Sequence, residues 1–234
     1  MILGSRQIIY MGINYHVLPM PTIDQPNNLK FQQSLLRSGV DVTRGTTQRN
    51  QIRIGREPPL PLEIRLIAQS AEPRTGQILI IAPTSERPLH HFISEVKAIL
   101  EAFEQAWPLQ NRQILRCDVT LRCLYQSTGE HAFQELWEKR LQQPRDSLGK
   151  LGKVLGGGLR FIIPPPQAGD PESAQVELKI ESFLRDTKRI FIETQLVWPE
   201  PRPPGSDFAP ADKLNQANQY IENKVHAFMM EGEP

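Results

Sequence analysis

The residues most suggestive of chemistry form one glycine- and lysine-rich run, Leu148-Gly149-Lys150-Leu151-Gly152-Lys153-Val154-Leu155-Gly156-Gly157-Gly158. Glycines let backbone N–H groups approach a phosphate closely, and a lysine supplies the countercharge. A P-loop also needs Ser or Thr directly after its Gly-Lys to hold a metal, and Leu151 and Val154 stand there instead. The run therefore reads as a connection from helix to sheet with snorkelling lysines. The five histidines, His16, His90, His91, His131 and His226, form no ligand spacing with a cysteine. His90 and His91 are neighbours at the start of a helix, where successive side chains diverge by about 100° and do not converge on one metal. Cys117 and Cys123 face the same way along one strand, about 20 Å apart at 3.3 Å per residue, too far to bridge. They read as core thiols of a reducing compartment, so a cytoplasmic setting is expected. No Gly-x-Ser-x-Gly elbow and no Cys-His arrangement is present. The expectation is a chain with no catalytic residue, no metal and no cofactor: not an enzyme.

What remains is charge. Two stretches carry clustered bases: Arg37, Arg44, Arg49, Arg53 and Arg56, then Lys139, Arg140, Arg145, Lys150, Lys153 and Arg160. The candidate binding residues are Arg44, Arg49, Arg53, Lys150, Lys153 and Arg160, joined by His16 and Arg122 on the polar side of two matching strands. Glu63 and Glu177 each stand two residues before a base, Arg65 and Lys179, on one side of a strand, which predicts a same-strand ion contact in each case.

The elements that must position these residues are written twice. Arg6-Gln7-Ile8 opens a strand in which Ile9, Met11, Ile13, Tyr15 and Val17 alternate with small or polar residues. Arg112-Gln113-Ile114 opens another, with Leu115, Cys117, Val119, Leu121 and Cys123 in the same phase. Period-2 alternation marks strands with one face buried. A short helix follows each. Asn27 or Asn28 is expected to cap the first, which Gly39 stops, and Thr128 the second, which runs through Ala132, Phe133, Leu136, Trp137 and Leu141. Short strands are expected at Val40 to Val42, Ile52 to Ile54 and Leu159 to Ile163. Leu62-Glu63-Ile64-Arg65-Leu66 matches Val176-Glu177-Leu178-Lys179-Ile180, and each match starts a hairpin returning through Ile78 to Ile80 or Ile190 to Ile192. A long amphipathic helix closes each half. Leu89, Phe92, Val96, Leu100 and Phe103 form the first stripe, and Leu214, Ala217, Ile221, Val225 and Phe228 the second. Phe103 and Phe228 hold the same place on these stripes, so both are expected to be core residues.

The expected fold class is thus α+β: two tandem repeats, 1–110 and 111–234, of strand, short helix, antiparallel strands and long helix. Together they form one curved antiparallel sheet with helices on one face and the other face open. This order of elements resembles the duplicated saddle of the TATA-binding-protein-like fold, without a motif that reads nucleic acid. In length, plan and final helix the chain is also similar to a sporadically distributed bacterial family with no assigned function, a similarity that carries no residues over.

Charge then separates two functions. With 27 Lys and Arg against 26 Asp and Glu, the net charge is +1, where a nucleic-acid binder normally shows a basic excess. The expected function is a non-catalytic binding or adaptor protein that docks a protein partner, or another copy of itself, on its open sheet face or on its proline-rich loops. The alternative is a nucleic-acid-binding saddle in which the two basic stretches track phosphates. No membrane partner is expected, because no apolar run approaches the ~20 residues that span a bilayer, and no signal peptide is expected.

Overall fold

The computed structural model describes residues 1–69, 74–83, 87–108, 111–152 and 154–230, with nothing to be said of the side chain of Arg145. Its elements in chain order are β1 (Ile2–Leu18), α1 (Gln25–Arg37), β2 (Arg44–Gln48), β3 (Gln51–Arg56), β4 (Leu62–Ala68), β5 (Gly76–Ala82), α2 (Leu89–Ala106), β6 (Gln113–Gln126), α3 (Ala132–Gln134), β7 (Gly158–Ile163), β8 (Gln175–Ser182), β9 (Arg189–Trp198), α4 (Pro210–Tyr220) and α5 (His226–Met230). The strands make one nine-stranded sheet in the order β2-β3-β4-β5-β1-β6-β9-β8-β7. Every pairing is antiparallel. The chain is therefore α+β, with β1 and β6 paired at the centre of the sheet.

Alternation decides which face is buried. Met11, Ile13, Tyr15 and Val17 of β1 are fully buried, as are Val119, Leu121 and Cys123 of β6. They share one core with Phe92, Val96 and Phe103 of α2, Phe31 and Leu35 of α1, and Leu214, Ala217 and Ile221 of the last helix. Ile13 pairs with Val119, which holds the same place in the second Arg-Gln-Ile strand. Register away from the centre differs between the flanks. Ile80 pairs with Ile13, whereas Ile192 pairs with Cys123 rather than with Val119.

Several local expectations give way to particular contacts. Asp24, not Asn27 or Asn28, caps α1: its Oδ1 accepts the Asn27 N–H at 2.9 Å. Gly39 does follow the end of that helix, in the left-handed region at φ 75°. Val40 to Val42 form no strand. The strand β2 lies just beyond, in polar residues that show no alternation of burial. In the second half His131 caps α3, its ring accepting the Phe133 N–H at 3.1 Å. Thr128 instead donates from its N–H and its hydroxyl to the buried Glu135 carboxylate, at 2.7 and 3.0 Å. Ser127 Oγ also donates to Glu135, at 2.6 Å, and the Met1 α-amino group pairs with it. Burial alone would raise the Glu135 carboxyl, but the amino group and these hydrogen bonds outweigh it and hold the pKa below the usual glutamate range.

Helix α3 passes after Gln134 into a π-helical turn, Glu135–Arg140. A second π-turn, Ile221–Val225, joins α4 to α5. A π-turn inserts one residue into the helical period. The apolar stripe consequently leaves Val225 for Met229, which is fully buried, while Phe228 is 37% exposed. The expectation that Phe228 matches Phe103 in the core is therefore corrected by this inserted residue.

Candidate binding face

The face of the sheet turned away from the core is built from the even positions of β1 and β6 and from the residues opposite them. Tyr10, Gly12, Asn14 and His16 stand on β1, and Arg116, Asp118, Thr120 and Arg122 on β6. Register carries the face outward. Gly12 lies beside Ile81 and Ile81 beside Glu63 on one flank, and Arg122 lies beside Glu193 and Glu193 beside Lys179 on the other.

Carboxylates sit low on this face and each is held by bases standing above them. Glu63 pairs with both Arg53 and Arg65, at 2.6 and 2.5 Å. Asp118 pairs with Arg116 at 2.7 Å and with His16 at 3.5 Å. Glu193 pairs with Arg122 at 2.6 Å and with Lys179. Glu177 pairs with Arg160 at 3.1 Å, and Arg44 at the sheet edge pairs with Glu57. Asp118 and Glu193 are each only 8% exposed. Their burial by itself would raise both carboxyl groups. Hydrogen bonds from His16 and Arg116 in the one case, and from Lys179 and Arg122 in the other, more than offset it and lower both pKa values. Glu63 behaves likewise beneath Arg65 and Arg53.

Register also corrects one of the two same-strand ion contacts expected from sequence. Glu63 does meet Arg65, two residues on. Lys179 does not meet Glu177, because Lys179 lies directly opposite Glu193 on β9 and Arg160 reaches Glu177 from β7. Residues directly opposite across an antiparallel pair have Cβ atoms about 5 Å apart, closer than neighbours two along one strand.

Apolar groups are interleaved with the charges. The Arg122 guanidinium lies over the Tyr10 ring at 4.4 Å, a cation–π contact across the β1–β6 pair. The same ring leans along the strand over Gly12. A Cβ there would lie 2.9 Å from the Tyr10 hydroxyl, so a glycine leaves the ring its place. Ile81, Leu124 and Val197 share this face and are nearly buried.

Of the candidate residues, His16, Arg44, Arg53, Arg122 and Arg160 are thus brought onto one face. Arg49 stands exposed in the turn between β2 and β3. Lys150 is exposed in a 3₁₀ turn, Arg145–Leu151, off the sheet. Lys153 lies outside the described residues. Of that run, Gly149 and Gly152 line a cavity of about 420 Å³ with His131, Phe133 and Trp137 beside α3, rather than a phosphate cradle on the sheet. Sequence reasoning did not single out Tyr10, Asp118 or Glu193 as site residues. Asp118 was legible from the alternation of β6, whereas Glu193 depends on cross-strand register.

Among the described residues no group of three or more His, Cys, Asp or Glu is placed to hold a metal ion. Nor, among the described residues, is any helix long and apolar enough to cross a membrane. Cys117 and Cys123 are free and buried, and burial pushes both thiols up, away from the reactive thiolate. Compared with protein-family models and with curated proteins, the chain matches none.

Proposed function

We propose that the chain is a non-catalytic binding protein that docks a protein partner on its open sheet face. The proline-rich loops Pro58 to Pro61, Pro164 to Pro166 and Pro199 to Pro204, at strand ends, are flanking contact surfaces. One observation carries the reading. Arg53, Arg65, Arg116, Arg122, Arg160 and Lys179 are each ion-paired to a carboxylate of the same face. Bases already matched by acids release few counterions when a polyanion arrives, and that release supplies most of non-specific nucleic-acid affinity. Alternating charge around Tyr10, Ile81, Leu124 and Val197 suits a polar protein surface with matching charges, where such pairs set register and on-rate.

The nucleic-acid saddle is the second reading. It is favoured by the outer edges of the same bases, since the Arg53 and Arg160 side chains remain 51% and 60% exposed. In either reading we take the architecture as two tandem repeats, 1–110 and 111–234, in the plan of the TATA-binding-protein-like saddle. Support comes from the strand order, which runs outward from β1 as β5, β4, β3 and from β6 as β9, β8, β7. The Ile13–Val119 pair stands where a pseudo-two-fold axis would pass. The proposed setting is the cytoplasm, supported by two free cysteines.

The test is a fluorescence-anisotropy titration with mixed-sequence single- and double-stranded DNA and RNA near physiological salt. It is run beside affinity capture from nuclease-treated host extract. The expected result is no micromolar binding to nucleic acid, and a captured protein that is lost when Arg53 and Arg122 are both changed to Glu. Micromolar or tighter nucleic-acid binding, abolished by the same two changes, would replace the first reading by the second.

A further inference from the structure

The two edges of the sheet are not alike. β2 shows Arg44, Gly45, Thr46, Thr47 and Gln48 to solvent, all polar or small. β7 reads Gly158-Leu159-Arg160-Phe161-Ile162-Ile163, with Ile162 62% and Ile163 37% exposed. Leu155 just before it and Leu184 just beyond β8 are 62% and 73% exposed, and Phe228 packs its ring on Phe161 at 5.6 Å. Soluble proteins protect sheet edges with charge, proline or cover, because an open edge is a row of unpaired N–H and C=O groups that another strand satisfies. β2 differs from β7 in showing no apolar side chain: its one charged residue, Arg44, is paired with Glu57 and the rest is polar or glycine. β7 carries one charged residue, and that residue is tied inward to Glu177.

The phase of the ladder shows what β7 offers. Ser182 donates its N–H to the Gly157 carbonyl at 3.0 Å, so Gly157 and Ser182 are a hydrogen-bonded pair. Bonded and non-bonded pairs alternate along antiparallel strands, so Leu159, Phe161 and Ile163 bond inward to β8. Gly158, Arg160 and Ile162 point their backbone groups outward. Among the described residues no other backbone or side chain is seen to bond them.

We propose that β7 is a self-association edge. It pairs antiparallel with β7 of a second copy about a two-fold axis through Phe161, joining two nine-stranded sheets into one. Water solvates the outward groups of a lone edge, whereas a second strand satisfies them while also covering Ile162, and β7 is complementary to itself. With Phe161 opposite Phe161 of the partner copy, Arg160 faces the partner's Ile162 and Leu159 faces the partner's Ile163. No like charges meet, and every apolar side chain meets an apolar side chain or the aliphatic stem of Arg160. The outward groups of Arg160 and Ile162 then make about four backbone hydrogen bonds between copies. Pro164, without an N–H, ends the pairing opposite Gly158. The contact is isologous and closes at two copies. Pairing β7 with β2 of another copy would run on without closure and would set Ile162 against polar residues. This edge borders the proposed docking face, to which Arg160 belongs and on which Ile162 stands opposite Glu177. Its test leaves Arg53 and Arg122 unchanged and reads only the association of the purified chain, so its failure is distinct from a failure of partner capture.

The experiment is sedimentation equilibrium of the full chain from micromolar to several hundred micromolar. It is applied to wild type, to Ile162→Lys, to Ile162→Pro and to Thr46→Lys on the other edge. Ile162→Lys sets a lysine against the partner's Arg160, and Ile162→Pro removes only an outward N–H, so both keep the ladder to β8. The wild type and Thr46→Lys are expected to dimerise alike. Both Ile162 variants are expected to dissociate at least about 100-fold more readily, with unchanged circular dichroism. Under mild oxidation Arg160→Cys with Ile162→Cys is expected to cross-link the copies, and Arg160→Cys alone is not. A wild type that stays monomeric over the whole range, a dimer untouched by both Ile162 variants, or growth beyond the dimer would each overturn the proposal.

Discussion

The two flanks of the central β1–β6 pair solve the same problem with different regularity. On one side β5, β4, β3 and β2 are backed by α1 and α2, two uninterrupted helices, and end in a polar edge. On the other side β9, β8 and β7 are accompanied by α3, α4 and α5. Both helical runs there contain a π-turn, and the edge is apolar. Strand order is thus insensitive to changes that a helix registers at once. A sheet keeps its faces under any even slip, whereas a helix given one extra residue rotates everything after it. Leu155, Ile162, Ile163 and Leu184 of the second flank are exposed on and around its edge strand, and that is where the flanks differ most in what they offer a partner.

The sharpest way to break this comparison is at matched places on the two long helices. Phe103 is fully buried and packs on Trp107 at 5.5 Å. Phe103→Ala is expected to cost about 3–5 kcal/mol, the range for deleting a buried aromatic. Phe228, displaced from the stripe by the π-turn but still packed on Phe161, is expected to cost about 1–2 kcal/mol as Phe228→Ala. Urea denaturation of both variants checks it. Equal losses would mean that the two stripes end alike and that the inserted residue has no energetic consequence.

Glu135 is the next largest effect and belongs to the second flank alone. Its carboxylate is buried among Met1, Ser127 and Thr128. Glu135→Ala leaves an amino group and three donors, Ser127 Oγ and the Thr128 N–H and hydroxyl, without their acceptor, at a cost of about 3 kcal/mol. The pH dependence has a definite sign. The folded pKa of Glu135 is lowered, so its contribution is fully present above the unfolded value and is lost as pH falls through the folded one. Stability measured from neutral pH down into the acid range should therefore fall in the wild type more steeply than in Glu135→Ala. Parallel curves would show that Glu135 does not carry the acid sensitivity.

How much of this was legible in the sequence follows from which signals are local. The inward positions Met11, Ile13, Val119 and Leu121, the stripe of α2, the strand around Ile52 to Ile54 and the two hairpins are set by periodicity and appear as read. Toward the strand ends, however, register shifts turn Ile8 and Ile114 to the core in place of the expected Ile9 and Leu115. The strand Arg44–Gln48 was missed because an edge strand wet on both faces has no alternation to show. The π-turns were missed because a stripe counted at 3.6 residues per turn contains no mark of an inserted residue. On the binding face, His16, Arg53, Arg122 and Arg160 could be placed by parity alone. Their partners Glu193 and Asp118 could not be paired with them, because the choice between a same-strand and a cross-strand partner is made by register, a long-range property.

Ion pairs on the open face give a smaller contrast, between its buried centre and its rim. Glu193 is 8% exposed and holds two bases, so Glu193→Ala is expected to cost about 2 kcal/mol, in the range of hydrogen bonds to charged groups. Arg160, whose side chain is 60% exposed, is expected to cost less than about 0.5 kcal/mol as Arg160→Ala, as exposed pairs do. Denaturation in low and high salt separates them further, since only the rim pair is screened. A rim variant as costly as the central one would mean that the whole face is structural scaffolding.

The smallest effect, at the centre of that face, separates stability from binding most cleanly. Gly12 is opposite Thr120 on β6, and its missing side chain leaves room for the Tyr10 ring. A methyl group there meets the far end of a side chain rather than backbone, and that end is able to swing aside. Gly12→Ala is also a better strand residue than glycine, whose conformational freedom costs roughly 0.5–1 kcal/mol in a strand interior. The two effects oppose each other, and the net change in stability is expected to stay within about 0.5 kcal/mol. The ring cannot keep its place, however, and it carries the contact with the Arg122 guanidinium across the strand pair. Gly12→Ala should therefore leave the unfolding midpoint nearly unchanged while shifting the Tyr10 ring resonances and weakening partner capture. Undisturbed Tyr10 resonances in the folded variant would show that the ring does not depend on the glycine.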